Sequence, residues 1–334
     1  MNREQGLSRV ATEPIWDVVV IGGGATGLGI AVDAASRGYK VALLEKLDFA
    51  KGTSSRSTKL IHGGVRYLAQ GNIKLVKEAL RERGILLKNA PHITWSQPFI
   101  VPVYSIISFL FYGIGLSVYD ILAGKLQIGK VSWLNRKSVL ACIPSIHPKG
   151  LKGGILYYDG QFDDARLAIT LALTASDRGA CVLNYVDVNG FEYNERKICG
   201  VICRDTLSNK EFRLLSKSVI NATGVFADHL IALDKPDQPA MLSPSQGVHI
   251  VVDPKYFVGS HALMIPKTDD GRVLFAVPWN GKVVIGTTDT AVKEISDEPE
   301  AFDEEIDFII RNFNQYTGMK LGRENILSVF AGLR

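Results

Sequence analysis

The sequence predicts an α/β chain in which a parallel-sheet, nucleotide-binding domain carries an inserted antiparallel sheet. Three stretches predict it. The first is the β-branched run Trp16-Asp17-Val18-Val19-Val20-Ile21 followed at once by Gly22-Gly23-Gly24-Ala25-Thr26-Gly27, which reads as a buried parallel strand and a glycine turn opening a helix. The second is the apolar strand from Tyr39 to Glu45, closing on a carboxylate. The third is the texture after Gln246, where the apolar stretches His261–Pro266, Arg272–Pro278 and Lys282–Gly286 are separated by Asp269-Asp270-Gly271 and by Asn280-Gly281. Asp-Gly and Asn-Gly are the strongest short hairpin signals.

Each element of the first domain has a reason. Glycines at 22, 24 and 27 match G-x-G-x-x-G: Gly22 permits the tight turn, Gly24 lets backbone approach a pyrophosphate, and Gly27 lets the helix pack on the strand. The helix runs from about Thr26 to Arg37, with Gly38 as its C-terminal stop. Glu45 stands a little over twenty residues past the first glycine, where a ribose hydroxyl would be held. An acid rather than a basic pocket argues for an unphosphorylated ribose, hence FAD or NAD rather than NADP. The next segment is rich in hydroxyls and lacks acids between Asp48 and Glu78, while Lys51, Arg56, Lys59, Arg66, Lys74 and Lys77 are all cationic. It suits an anion, either cofactor pyrophosphate or a phosphorylated substrate, although a solvated polar loop accounts for any Ser/Thr run taken alone.

Composition bounds the answer. With 334 residues, 46% of them hydrophobic, the chain can bury a sizeable core and form two domains. A net charge of +4 is mild, and without a concentrated basic face and stacking aromatics no nucleic-acid partner is expected. Cys142, Cys181, Cys199 and Cys203 form no CxxC pair and no His/Cys metal spacing. Free thiols, a reducing compartment and no metal are therefore expected. Met1 to Pro14 is polar, has no apolar core of a signal peptide, and is expected to be a short tail.

The run Thr53-Ser54-Ser55-Arg56-Ser57-Thr58-Lys59-Leu60-Ile61-His62-Gly63-Gly64-Val65-Arg66-Tyr67-Leu68 closely resembles the signature of the FAD-dependent glycerol-3-phosphate dehydrogenases of respiratory and mitochondrial type. The resemblance implies a Rossmann-like FAD-binding domain with an inserted antiparallel-sheet substrate domain. Thr53, Ser54, Ser55, Lys59 and Leu60 are accordingly assigned to the cofactor beside Gly22, Gly24, Gly27 and Glu45.

Farther along, Asn72 to Asn89 reads as an amphipathic helix with Gly84 a candidate break. Ile93 to Tyr119 carries no charge. It is long enough for a membrane span, but strands of one sheet lie on both sides of it, and a crossing would separate them. That leaves a buried helix or an apolar surface dipping into one leaflet. The resemblance implies membrane-bound electron delivery to quinone and favours the second. Asp163 and Asp164 open a helix reaching about Arg178, and Ala180–Val186, Phe191–Tyr193, Ile198–Arg204 and Glu211–Leu215 read as short strands. Lys217 to Asn221 is read as a further strand, breaking into Ala222-Thr223-Gly224 before a helix from Phe226 to Leu233. The resemblance implies that Ala222, Thr223 and Gly224 lie close to the cofactor. Thr287-Thr288-Asp289 also resembles a family segment, an acidic surface helix is expected from Ser296 to Tyr316, and Ile326–Ala331 reads as an apolar strand stopping at Gly332-Leu333-Arg334.

The expected organisation is a first part of the FAD-binding domain over 1–90, an apolar membrane-contacting segment over 91–160, the FAD-binding domain continued over 161–235, an antiparallel substrate domain over 236–325, and the start of a return to the FAD domain over 326–334. The resemblance implies further cofactor-contacting and helical parts beyond residue 334, so the sequence reads as a fragment or a truncated relative.

The activity implied is oxidation of the C2 alcohol of sn-glycerol 3-phosphate to dihydroxyacetone phosphate, with electrons passing through FAD to quinone. Arg66 and Arg334 suit the phosphate, because guanidinium groups bind it bidentately. His62 or His249 suits the hydroxyl proton, with a structural hydrogen bond as the competing explanation for each. Tyr67 is assigned a substrate or flavin contact, with packing as its alternative. A peripheral place on the inner face of the cytoplasmic membrane is expected, with the mitochondrial inner membrane as the alternative and a homodimer as the candidate assembly. The competing functions are a glycerol-3-phosphate oxidase using oxygen and a non-catalytic flavoprotein fragment. An amine- or 2-hydroxy-acid-oxidising flavoprotein ranks behind them, and an NAD-linked dehydrogenase is least supported.

Overall fold

A computed structural model describes residues 1–334 apart from 66 and 69. In chain order, α1 (Arg3–Thr12) leads to β1 (Trp16–Ile21), α2 (Ala25–Ser36) and β2 (Val41–Leu44). Then come β3 (Leu60–Ile61), α3 (Val65–Ala69), α4 (Ile73–Asn89), β4 (Thr94–Val103), α5 (Ile106–Ala123), β5 (Ser132–Asn135) and α6 (Arg136–Cys142). The middle of the chain forms β6 (Gly153–Phe162), α7 (Asp164–Asp177), β7 (Cys181–Leu183), β8 (Val186–Asn194), β9 (Lys197–Asp205), β10 (Glu211–Asn221) and α8 (Ala227–Asp234). The last part is β11 (Ser245–Val252), β12 (Ala262–Ile265), β13 (Leu274–Trp279), β14 (Lys282–Gly286), β15 (Thr290–Ala291), α9 (Asp303–Thr317) and β16 (Ile326–Leu333).

Two sheets organise these elements. The first is six-stranded, in the order β7-β2-β1-β10-β9-β8, with β7, β2, β1 and the C-terminal half of β10 parallel. Side chains alternate across it as strand geometry requires. Val20 and Leu43 pack with Leu28, Ala31, Ala35, Ala168, Ala172 and Ala175 of α2 and α7 on one face, the alanines letting both helices come close. Val19, Ile21, Ala42 and Leu44 face Val10 of α1 and Leu230 of α8 on the other. The expected short tail is therefore helix α1: Asn2 caps it by accepting from the Gln5 amide, and Arg3 pairs with the buried Asp205 at 2.6 Å. Lys217 to Asn221 is also no separate strand. It is the second half of β10, whose first half, Glu211–Leu215, pairs antiparallel with β9 before the strand runs parallel to β1.

The second sheet runs β15-β11-β14-β13-β12-β4-β6-β3, with β16 on β11 and β5 on β6. Asn280 and Gly281 make the expected two-residue hairpin, both at positive φ (45° and 72°), as a type I′ turn demands. The sheet is not confined to residues 236–325. β3, β4, β5 and β6 come from 60–162, and β12 pairs parallel with β4. Segment 91–160 is thus half sheet and half helix, and β16 joins this sheet rather than turning back to the first. One face packs on Phe308, Ile309 and Phe313 of α9, which begins at Asp303, so residues 296–302 precede the helix. The other face packs on Val76 and Leu80 of α4 and on Leu116 and Tyr119 of α5. α4 passes Gly84 without a break, because the bare glycine lets Leu126 pack against the helix.

Candidate functional site

The site is built where β1 meets α2. Gly22 has φ +113°, and a Cβ there would run into the Ala222 carbonyl oxygen. A Cβ on Gly27 would run into the Gly22 carbonyl oxygen, so the third glycine serves packing and does not line the cavity. Gly24 is the N-cap of α2 and has no side chain to satisfy the helix's first amides. Ser54 Oγ accepts from the Ala25 amide at 2.8 Å, and little else crowds Gly24. An open helix N-terminus with main-chain donors is suited to an anion. Glu45 follows β2 directly. Its Oε2 accepts from the Gly23 amide at 2.6 Å and its Oε1 from the Leu47 amide at 2.8 Å. Burial raises its pKa, and those two amides only partly oppose that. A carboxylate has about four acceptor positions, so hydroxyls of a bound ribose can still be accepted.

These groups line a cavity of about 740 Å³, within the range typical of cofactor clefts. Gly22, Gly24, Glu45, Thr53, Ser54, Ala222, Thr223, Gly224 and Arg334 all border it. Thr53 donates its hydroxyl to the Leu333 carbonyl, which ties the hydroxyl-rich loop to the end of β16. Lining that sequence reasoning missed comes from two places. Val186 and Val188 of β8 with Leu230 and Leu233 of α8 form an apolar wall, and the loop Ser296–Pro299 crosses the cavity's edge. Alternation along β8 could have suggested the wall. For the loop only its acids give a signal: Glu298 pairs with Lys51 and, at 2.6 Å, with Arg56.

Other expected site residues lie elsewhere. Ser55 does not border the cavity; its carbonyl accepts from Lys59 Nζ at 2.7 Å. Lys59, expected at the cofactor, is instead a nearly buried ion-pair partner of Asp164 at 2.7 Å, locking the loop onto α7. Leu60 pairs through its backbone with Gln161. His62 is exposed, as is Tyr67, and neither lines the cavity. The side chain of Arg66 lies outside the described residues.

His249 is buried and stacked on Phe330 at 4.8 Å, with Nε2 2.8 Å from Thr58 Oγ1. Burial, then the charges of Lys59 and Arg334, lower its pKa to about 3. The ring is therefore neutral near neutrality, and both histidines stay candidates for the hydroxyl proton. The buried Nδ1 of His249 has no hydrogen-bond partner among the described residues. Arg334 donates to the Thr288 carbonyl at 2.7 Å and pairs with Asp289 at 3.2 Å. The Thr287-Thr288-Asp289 segment therefore aims this guanidinium, which stays 45% exposed. Burial opposes ionisation of Asp289, but bonds from Ser245 and Arg334 outweigh it and hold its pKa low.

Comparison with known proteins agrees with this geometry. The mitochondrial glycerol-3-phosphate dehydrogenase of Arabidopsis thaliana is 41% identical over 98% of this chain and 54% of its own length. The human mitochondrial glycerol-3-phosphate dehydrogenase is 40% identical over 100% of this chain and 48% of its own. The chain thus spans about half the length of the curated relatives it matches. Among solved structures, the glycerol-3-phosphate dehydrogenase of Bacillus halodurans complexed with FAD superposes with a TM-score of 0.82 at 35% identity, covering 99% of this chain and 59% of that one. An L-α-glycerophosphate oxidase from Mycoplasma pneumoniae shares the fold, with a TM-score of 0.73 at 18% identity, covering 96% of this chain and 83% of that one. The residues present fit FAD. The open α2 N-terminus suits its pyrophosphate, Glu45 a ribose, and Val186 and Val188 an apolar ring. Residues 17–334 match the family described as FAD dependent oxidoreductase, and the chain belongs to that family.

Proposed function

We propose that the chain oxidises sn-glycerol 3-phosphate to dihydroxyacetone phosphate and delivers the electrons to a membrane quinone. The observation that carries this reading is one cavity bordered at once by a dinucleotide cradle and by Arg334, a half-exposed guanidinium held in place by Thr288 and Asp289. The relatives' names supply the substrate. FAD, when bound, supplies the acceptor for hydride from substrate C2.

The chain's own residues do the rest. Arg334 holds the phosphate dianion, and its pairing with Asp289 fixes the guanidinium plane without neutralising it fully. Arg66 is the second phosphate ligand on the strength of its place in the 53–68 run. His62 takes the C2 hydroxyl proton, a role worth about 10²–10⁴-fold when the base is well placed. Tyr67 borders the same segment. In this reading the first sheet is the FAD domain and the second sheet the substrate domain.

The acceptor side rests on α5. Its outer face leaves Ile106, Ile107, Leu110, Phe111, Ile114 and Ile121 exposed, Ile107 by 82%. With so many large apolar side chains outside the core, the helix exposes far more apolar surface than water favours. Strands of one sheet precede and follow it, so the fitting occupant is one leaflet of a bilayer, entered from the side. A peripheral position on an energy-transducing membrane follows, and the word mitochondrial in the relatives' names is compatible with it.

The test is the choice of acceptor. The FAD-loaded chain with sn-glycerol 3-phosphate should reduce a quinone analogue and release little hydrogen peroxide in air. Stoichiometric peroxide without quinone reduction would instead support an oxidase.

A further inference from the structure

Behind His62 lies a buried polar cluster that the proposed chemistry leaves unused. Arg83 of α4 and Asp159 of β6 pair at 2.9 Å, each about 2% exposed. Tyr119, on the inner face of α5, donates its hydroxyl to Asp159 Oδ2 at 2.8 Å. That hydroxyl also accepts from the main-chain amide of Gly63 at 2.7 Å, and Asp159 Oδ1 lies 3.3 Å from the same amide. Two elements distant in sequence, α5 and β6, thus converge on one N–H, with Arg83 of α4 holding Asp159 from behind. A Cβ at residue 63 would collide with Leu80 and with the Tyr119 hydroxyl, so glycine is the residue this anchor admits. On the far side Gly64 takes φ +74° as the N-cap of α3, and the chain turns away.

A buried ion pair is a poor way to gain stability, since apolar replacements of similar size often do as well. What this one supplies is a fixed main-chain point directly beside an exposed histidine. We propose that Tyr119, with Asp159 and Arg83 behind it, is a positioning residue that pins the main chain at Gly63 and thereby holds His62 for proton transfer. The inference rests on the reading of His62 as the base, and it adds a buried hydroxyl outside the 53–68 run to the machinery.

The experiment compares Tyr119→Phe with Tyr157→Phe in the FAD-loaded full chain. Tyr157 is an equally buried neighbour whose hydroxyl reaches Met264 Sδ at 3.3 Å and does not touch residue 63. In Tyr119→Phe, FAD content should be unchanged and kcat should fall about 3–10-fold with KM held, the size set by one neutral hydrogen bond. The His62 imidazole titration followed by NMR should shift in Tyr119→Phe and stay put in Tyr157→Phe. An unmoved His62 titration overturns the proposal whether or not the chain turns over substrate. Absence of turnover in the unaltered chain speaks only against the proposed function. Should Tyr119→Phe fold poorly, hydrogen exchange at the Gly63 amide of the unaltered chain decides. Slow exchange is expected, and exchange as fast as in an unstructured peptide overturns the anchor.

Discussion

Arg334 and His249 illustrate how a residue's role follows from what surrounds it rather than from its type. Arg334 is aimed by Thr288 and Asp289 yet keeps much of its guanidinium free. For Arg334→Ala we expect KM for sn-glycerol 3-phosphate to rise about 10–100-fold, the equivalent of a charged hydrogen bond or two. Steady-state kinetics with glycerol as the phosphate-free control should show a much smaller change. His249 carries the opposite lesson. Its folded pKa, about 3, lies below the ordinary 6.5, so between those values the unfolded chain binds the extra proton. Stability is therefore full above pH 6.5 and falls as pH drops through that window. Urea midpoints measured from pH 7 to pH 4 should decline less steeply for His249→Gln. The sequence made both histidines candidates because a sequence does not report burial; only the packing of Phe330 and Thr58 gives them different surroundings. Glu45 was legible because a carboxylate at the end of a buried strand has few other reasons to be there.

At the level of elements, β1, α2 and β2 could be read directly, since strand period, glycine turn and helix stop agree along one continuous stretch. The two-residue hairpin at Asn280-Gly281 was legible for the same local reason. β4 and β6 were not: their pairing partners lie far away in sequence, and an uncharged run from Ile93 to Tyr119 looks alike as strand or helix. An apolar surface was foreseen at α5, but which of its residues face outward was not. Phe109 packs edge-on against Trp133 at 5.0 Å, whereas Ile107 and Phe111 point outward. Ile107→Ser with Phe111→Ser should leave the thermal midpoint nearly unchanged and reduce co-flotation with phospholipid vesicles severalfold. Undiminished flotation would count against lipid contact through this helix.

For the whole molecule, the fold class was legible and the assignment of chain segments to sheets was not. Residues 60–162 and 245–333 interleave in one sheet, a pairing that no local pattern announces. That interleaving is also what brings the end of β16, with Arg334, against the hydroxyl loop of the first domain. In the proposed function this junction presents a glycerol phosphate to a flavin. The most direct measurement is the absorbance spectrum of the purified, FAD-loaded chain under anaerobic titration with sn-glycerol 3-phosphate. The visible band of the oxidised flavin should bleach with the phosphorylated substrate and persist with glycerol. A band that the phosphate ester leaves untouched, in a chain that holds its FAD, would contradict it.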